Sequence, residues 1–428
     1  MKQKAYYIPR FRTITLKNGL KVFWHERPTI NTIGIGLFVR IGGANEPIEG
    51  IAHLIEHLIV ASTRPRLEAP QIGASIGAET LRVYTQYNVS VLPENFAKTT
   101  QVLGEMFFQP DFKEEMVRAE KNRIINEIAE AGDDPDGTAF NRLVDVRFLE
   151  KNSVFRDIGG RKSAVSELNL QRIRNIYARY YHPRNACLVI SAPFSLNKTS
   201  LKSINQAFGK RHKPKPPFVK ERKTTFSQFR VQHFLKTGIN QTYLFISVPV
   251  WRASTPRIRY SLQRANGLID KLLQPIKEDG LAYRVGSTLY WSGKIVFFSI
   301  YGIFNNTNDL EKALRRIIEG NGLNYSKDYL RNSFEITKAS AIKSLLIDFE
   351  SDAETISEIG AYYMIENRVP NFEDIFNEIR RMSYDRTIRI AKRMINTPGI
   401  NIVTFGNPKH IPAVRRIVRS ASPILRRR

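Results

Sequence analysis

At 428 residues and 42% hydrophobic content, the chain exceeds what one core usually organises, so three folded domains or two large ones are expected and a disordered or fibrous chain is excluded. Cys187 is the sole cysteine, which excludes an intrachain disulfide and any cysteine-built metal site and leaves His and carboxylates as the available ligands. The formal charge of +26 would suit an anionic partner, yet no zinc-finger, RNA-recognition or Gly-rich phosphate signature accompanies it, so no nucleic-acid ligand is expected.

The opening MKQKAYYIPRFRTITL lacks an apolar stretch followed by a small-residue cleavage site, and no run of about 20 apolar residues occurs later. A cytoplasmic protein with no membrane span is the expectation. FRTITLKNGLKVFWHER places two short strands around Asn18-Gly19, a strong hairpin signal, and TIGIGLFVRI continues the sheet. Helical periodicity follows over 50–61, 93–108 and 112–131. LQRIRNIYARYYHP closes a helix before Pro183, and ACLVISAP reads as a buried strand containing Cys187. Residues 209–223, rich in Pro and Lys, have the composition of an extended connector. Beyond it come the strands QFRVQHFLK and TYLFISVPV, a helix over 258–275, a strand pair around 283–303, further helices and the final strand INIVTFG. Tyr84, Tyr87, Trp251 and Trp291 fall in strand patterns and read as core. The basic stretch 210–223 and the six arginines of Arg415 to Arg428 read as a solvated linker and terminus. The same order of strands, helices and a closing strand in each half predicts an α+β protein of two related sandwich domains, 1–208 and 224–428, joined by the 209–223 linker.

The chemistry concentrates in Gly50-Ile51-Ala52-His53-Leu54-Ile55-Glu56-His57-Leu58. On a helix, His53 and His57 stand one turn apart on one face, spaced to grip one Zn²⁺, with Glu56 about 60° around the cylinder beside them. Such a metal acidifies a water, and Glu56 is placed to take its proton before attack on a polarised carbonyl. A chance His pair on a solvated helix is the blander reading; the apolar flanks Leu54, Ile55, Leu58 and Ile59 argue for partial burial instead. A third ligand is needed from another helix, and Glu120 and Glu127, seven residues apart and so on one face, are both candidates.

These features resemble the pitrilysin and insulysin family of inverted-motif zinc metallopeptidases, in particular its short branch with the mitochondrial processing peptidase subunits and their bacterial relatives. The resemblance spans nearly the whole chain through TLKNGLKVFWHE, GIAHLIEH, RAEKNRIINEI, the run from Ile158 to Ser191, and EDGLAY. It implies half of a clamshell that closes as a dimer around short or unfolded polypeptides. The family's E-x6-E pattern falls on Glu120 and Glu127, which implies Glu127 as the zinc ligand and Glu120 as the acid that orients a ligand. The interval from His57 to Glu127 is shorter than the family's usual one, with the loss placed around TRPRLEAPQIG, where a loop is expected to be trimmed.

Two departures bear on function. The family's substrate-facing edge strand corresponds to Gly77, Ala78, Glu79 and Thr80, with Gly where the family has Asn; backbone pairing of a peptide needs no particular side chain there. In the second domain, Tyr283 matches the family's Tyr that contacts substrate and stabilises the oxyanion, but Ile276 occupies the place of the Arg seven residues earlier, with Lys277 adjacent. The resemblance therefore implies a heterodimer with a homologous subunit, ahead of a homodimer. A non-catalytic scaffold or partner subunit of the same fold is the competing reading, although the chain keeps each expected zinc ligand.

Overall fold

A computed structural model describes residues 6–427 except 63–67, 69, 149–153, 211–226, 228, 254, 320–324 and 398. The connector expected over 209–223 lies outside the described residues from 211 onward, as does most of the stretch around 63–69 where the loop was expected to be trimmed.

The first sheet comprises β1 (Phe11–Thr15), β2 (Lys21–Glu26), β3 (Ile33–Val39), β4 (Ser75–Thr80), β5 (Thr85–Val91) and β6 (Ala186–Ala192), in the order β1-β2-β6-β3-β5-β4. The hairpin expected at Asn18-Gly19 forms between β1 and β2: Gly19 turns the chain at φ +94°, and the Asn18 side chain accepts the Leu20 N–H at 3.1 Å. β2 and β6 run parallel, while the remaining neighbours are antiparallel. β3 and β6 are buried along their whole length, which explains why both read as continuous apolar runs. Cys187 sits inside β6, fully buried, and burial pushes its thiol pKa up, as befits an inert core residue.

The second sheet comprises β7 (Arg230–Leu235), β8 (Thr242–Arg252), β9 (Arg284–Ser292), β10 (Ile295–Phe304) and β11 (Asn401–Gly406), in the order β7-β11-β8-β10-β9. Numbered within its own half, each sheet follows the strand order first, fifth, second, fourth, third, with β1 as an extra flank on the first. The parallel pair is β7 with β11, matching β2 with β6. The two halves thus repeat one α+β topology.

The chain forms two compact units: 1–130, 156–222 and 346–372 make one, and 131–155, 223–345 and 373–428 the other. Each half contributes a helix to the other half's sheet. Helix Pro135–Arg147 packs on β8 and β11, and helix Asp352–Glu366 on β3 and β6. Gly360 permits the second of these contacts, because a Cβ there would lie 2.3–2.5 Å from the Phe38 ring of β3. Each unit has its own apolar core.

Candidate metal centre

The helix that carries the histidines, α1 (Ile51–Ala61), begins at Gly50, whose φ of +76° puts it in the left-handed region. Glycine offers no side chain to cap a helix, so the first amides need another acceptor. Glu46 supplies it: Oε1 accepts the Gly50 N–H at 2.8 Å and Oε2 the Ala52 N–H at 2.9 Å. Its carboxyl is fully buried and is held at 2.9 Å by Arg156, which also reaches Glu49 at 3.5 Å and donates to the Gly43 carbonyl. Arg161 holds Glu49 from the other side at 2.7 Å. Burial outweighs these donors and pushes Glu46 up to about 7.

Leu54, Ile55 and Leu58 lock the inner face of α1 into the core, which leaves His53 and His57 on the face toward helix Glu114–Asp133. That helix presents Glu120 and Glu127 at heptad spacing. Glu120 is buried, and its Oε2 stands 3.0 Å from His57 Nδ1 and 3.2 Å from Arg123. With Nδ1 donating to Glu120, His57 turns its Nε2 lone pair outward. The Nε2 atoms of His53 and His57 are 3.2 Å apart, and Glu127 Oε2 lies 3.8 Å from the first and 3.6 Å from the second.

Three donors arranged in such a triangle fit one metal ion. Ligands about 2.0–2.2 Å from a tetrahedral zinc are separated from one another by about 3.3–3.6 Å, close to each of the three edges. His53, His57 and Glu127 form a group capable of holding a metal, and the set of two nitrogens and one oxygen suits zinc. Burial, reinforced by the neighbouring His57, pulls the His53 pKa down to about 4, so His53 is neutral at physiological pH and its Nε2 lone pair is free to ligate.

Glu56 lies beside the triangle. Its Oε2 accepts the Thr80 hydroxyl at 2.9 Å, and burial raises its pKa above the ordinary carboxylate value. Thr80 ends β4, which forms one edge of the first sheet; within β4, Gly77 pairs with Asn88 and Ala78 with Tyr87 of β5, while Glu79 accepts from Gln86 at 2.9 Å. The four residues Gly77 to Thr80 and the His/Glu group therefore share the first unit. Tyr283 belongs to the second unit, just before β9, with its side chain exposed and its N–H bonded to the Ile303 carbonyl. Ile276 is buried in the second core and Lys277 is exposed in the last turn of its helix.

The sequence motif located the His/Glu group but not its supports. Glu46 and Arg156 lie 110 residues apart, and no local pattern joins them. Thr80, expected as a substrate contact, is bonded to Glu56. An acid four residues before the glycine that opens the helix was the available sign for Glu46.

Two halves of one repeated α+β topology and a His/Glu triangle built from the His53-x-x-Glu56-His57 motif are the features that the resemblance implies. Residues 21–158 match the insulinase (peptidase family M16) domain, and residues 167–321 match the peptidase M16 inactive domain. The chain belongs to the insulinase family. It is 25% identical over 394 residues to YmxG, an uncharacterized zinc protease of Bacillus subtilis, with 89% of this chain and 94% of that protein covered. It is 24% identical over 422 residues to an uncharacterized zinc protease of Rickettsia bellii, covering 93% and 98%. Among solved structures, a protease from Helicobacter pylori shares the fold at TM-score 0.80 and 18% identity, covering 93% of this chain and all of that one. A chain of complex III2 from Candida albicans shares it at TM-score 0.77 and 15% identity, covering 94% and 97%. No helix among the described residues is long and apolar enough to cross a membrane.

Proposed function

We propose that the chain is a zinc-dependent endopeptidase acting on short or unfolded peptides, with His53, His57 and Glu127 as the metal ligands and Glu56 as the general base. The donor triangle, with edges of 3.2, 3.6 and 3.8 Å, is the observation that carries this reading. A zinc ion held there supplies Lewis acidity, which lowers the pKa of water and polarises a peptide carbonyl. The protein's part is positional and protonic. Glu120 fixes the ring of His57. Thr80 donates to Oε2 of Glu56 and so leaves Oε1 to accept the proton of the attacking water, then to pass it to the leaving amine. Burial raises the pKa of Glu56 above the ordinary carboxylate value, which eases both uptake of the proton and its return to the leaving amine. Among the described residues β4 is an edge strand of its sheet, and a peptide in extended conformation adds there as a further strand, using backbone groups of Gly77 to Thr80.

Tyr283, exposed and polar, serves the substrate and oxyanion in this reading, without the Arg that would accompany it. Ile276 packs into the core and supplies no charge, and this observation supports a homologous partner subunit that carries the missing function. The same observation, together with the shared fold of a complex III2 chain, supports the second reading, a non-catalytic subunit. Chelator-sensitive cleavage of a fluorogenic peptide library tests them. Cleavage by the chain alone supports a self-sufficient enzyme and removes the partner from the proposal. Cleavage only after addition of a homologous subunit supports the heterodimer, and zinc-free protein inert in both settings supports the scaffold.

A further inference from the structure

The second unit holds a cavity of about 240 Å³ between helix Pro256–Glu278 and the segment from Phe372 to Ile395. Four arginines line it, Arg257, Arg264, Arg381 and Arg386, against one carboxylate, Glu378. Glu378 is shared: Arg257 Nε reaches its Oε1 at 2.9 Å and Arg386 Nη1 lies 3.6 Å from the same oxygen. Among the described residues, no carboxylate pairs with Arg264 or Arg381. The Nε of Arg264 is buried and has no hydrogen-bond partner among those residues. A buried donor left unmatched costs free energy, and so does the concentration of like charge around it. Hydroxyls of Ser261 and Ser383 also line the space, and Ser383 caps helix Tyr384–Ile395, so the positive end of that 12-residue helix faces the same region.

We propose that this cavity is an anion site for a small phosphate-type dianion, either free or as the terminal group of a small ester. Four guanidiniums and one carboxylate leave a formal excess of three positive charges. A monocarboxylate would compensate one of them, whereas a phosphate group carries about −1.5 to −2 at neutral pH and offers three acceptor oxygens to forked guanidinium donors. The volume admits one such group and falls below the about 300–1,000 Å³ of sites for larger ligands. Glu378 keeps Arg257 and Arg386 in place and at the same time competes with the anion for them.

The test is isothermal titration of the full chain with inorganic phosphate and, separately, with glycerol phosphate, with ionic strength held constant by chloride. Saturable binding of one anion per chain is expected, weakened at least about tenfold by Arg264→Gln and by Arg381→Gln. Removal of the competing carboxylate in Glu378→Gln is expected to tighten binding. Opposite signs for the Arg and Glu variants separate a site from general damage to the fold, and the exposed Arg381 decides the matter if Arg264→Gln does not fold. Equal affinity for both compounds identifies a site for the bare anion, and tighter binding of glycerol phosphate one for an ester. Absence of saturable binding, indifference to both Arg variants, or weaker binding in Glu378→Gln overturns the proposal.

Discussion

The helix between the second and third strands exists in both halves, as Ile51–Ala61 in the first and Pro256–Glu278 in the second, but the two carry different chemistry. The first brings two imidazoles and Glu56 to one place. The second has no histidine, and its half-buried acid, Asp270, accepts the Ser287 N–H of β9 at 2.9 Å. Both helices thus tie a carboxylate to the following edge strand, Glu56 to the Thr80 hydroxyl and Asp270 to the Ser287 amide. In each case burial raises the carboxyl pKa. The shared contact belongs to the fold. A metal site requires the added histidines and an acid from a second helix, so the repeated topology by itself does not predict activity.

The largest contrast between the halves is expected on removing each acid's charge. Glu56→Gln should lower peptide cleavage by about 10²–10⁴-fold while the bound zinc is kept, because the base is lost and the ligands are not. Asp270→Asn, measured in parallel, should leave cleavage unchanged and cost about 1 kcal/mol in urea unfolding. A large loss of cleavage in Asp270→Asn would break the comparison.

Support of the helix start comes next in size. Arg156→Met leaves Glu46 buried without its cation, and a loss of about 3–5 kcal/mol is expected in urea unfolding. The pH dependence of stability sharpens the same point. Because folding raises the Glu46 pKa from 4.5 to about 7, the folded state holds its proton over that interval while the unfolded chain releases it. Its contribution is complete below 4.5 and is lost as pH rises to about 7, at up to about 1.4 kcal/mol per pH unit. Glu46→Gln should flatten that part of the stability curve. A curve indistinguishable from that of the parent protein would remove Glu46 from the account.

The smallest effect concerns orientation. Thr80→Val keeps shape and removes the hydroxyl that holds Glu56, so a fall of about tenfold in kcat with unchanged zinc content is expected. If KM rises and kcat stays constant, Thr80 serves substrate binding instead.

How much of this was legible beforehand depended on how local the cause is. The Asn18-Gly19 turn, the helix over 50–61 and the alternation of strands and helices are written in short windows, and the His53, Glu56, His57 spacing is meaningful within one turn of helix. Glu120 and Glu127 were legible as a face, and the resemblance separated their roles. The Glu46–Arg156 contact and the hydrogen bond from Thr80 to Glu56 depend on chain reversals that no window contains. The exchange of helices is hidden for a different reason. The apolar residues of helices Pro135–Arg147 and Asp352–Glu366 show that each is partly covered, not which sheet covers it. The arginines at 257, 264, 381 and 386 were diluted in a basic composition until folding brought them to one cavity.

Elemental analysis of purified protein beside the Glu127→Gln variant tests whether His53, His57 and Glu127 hold one zinc ion. One zinc per chain is expected in the parent protein, with the metal lost or weakly retained in the variant and cleavage lost with it. Zinc absent from the parent protein, or bound equally by the variant, would contradict the assignment.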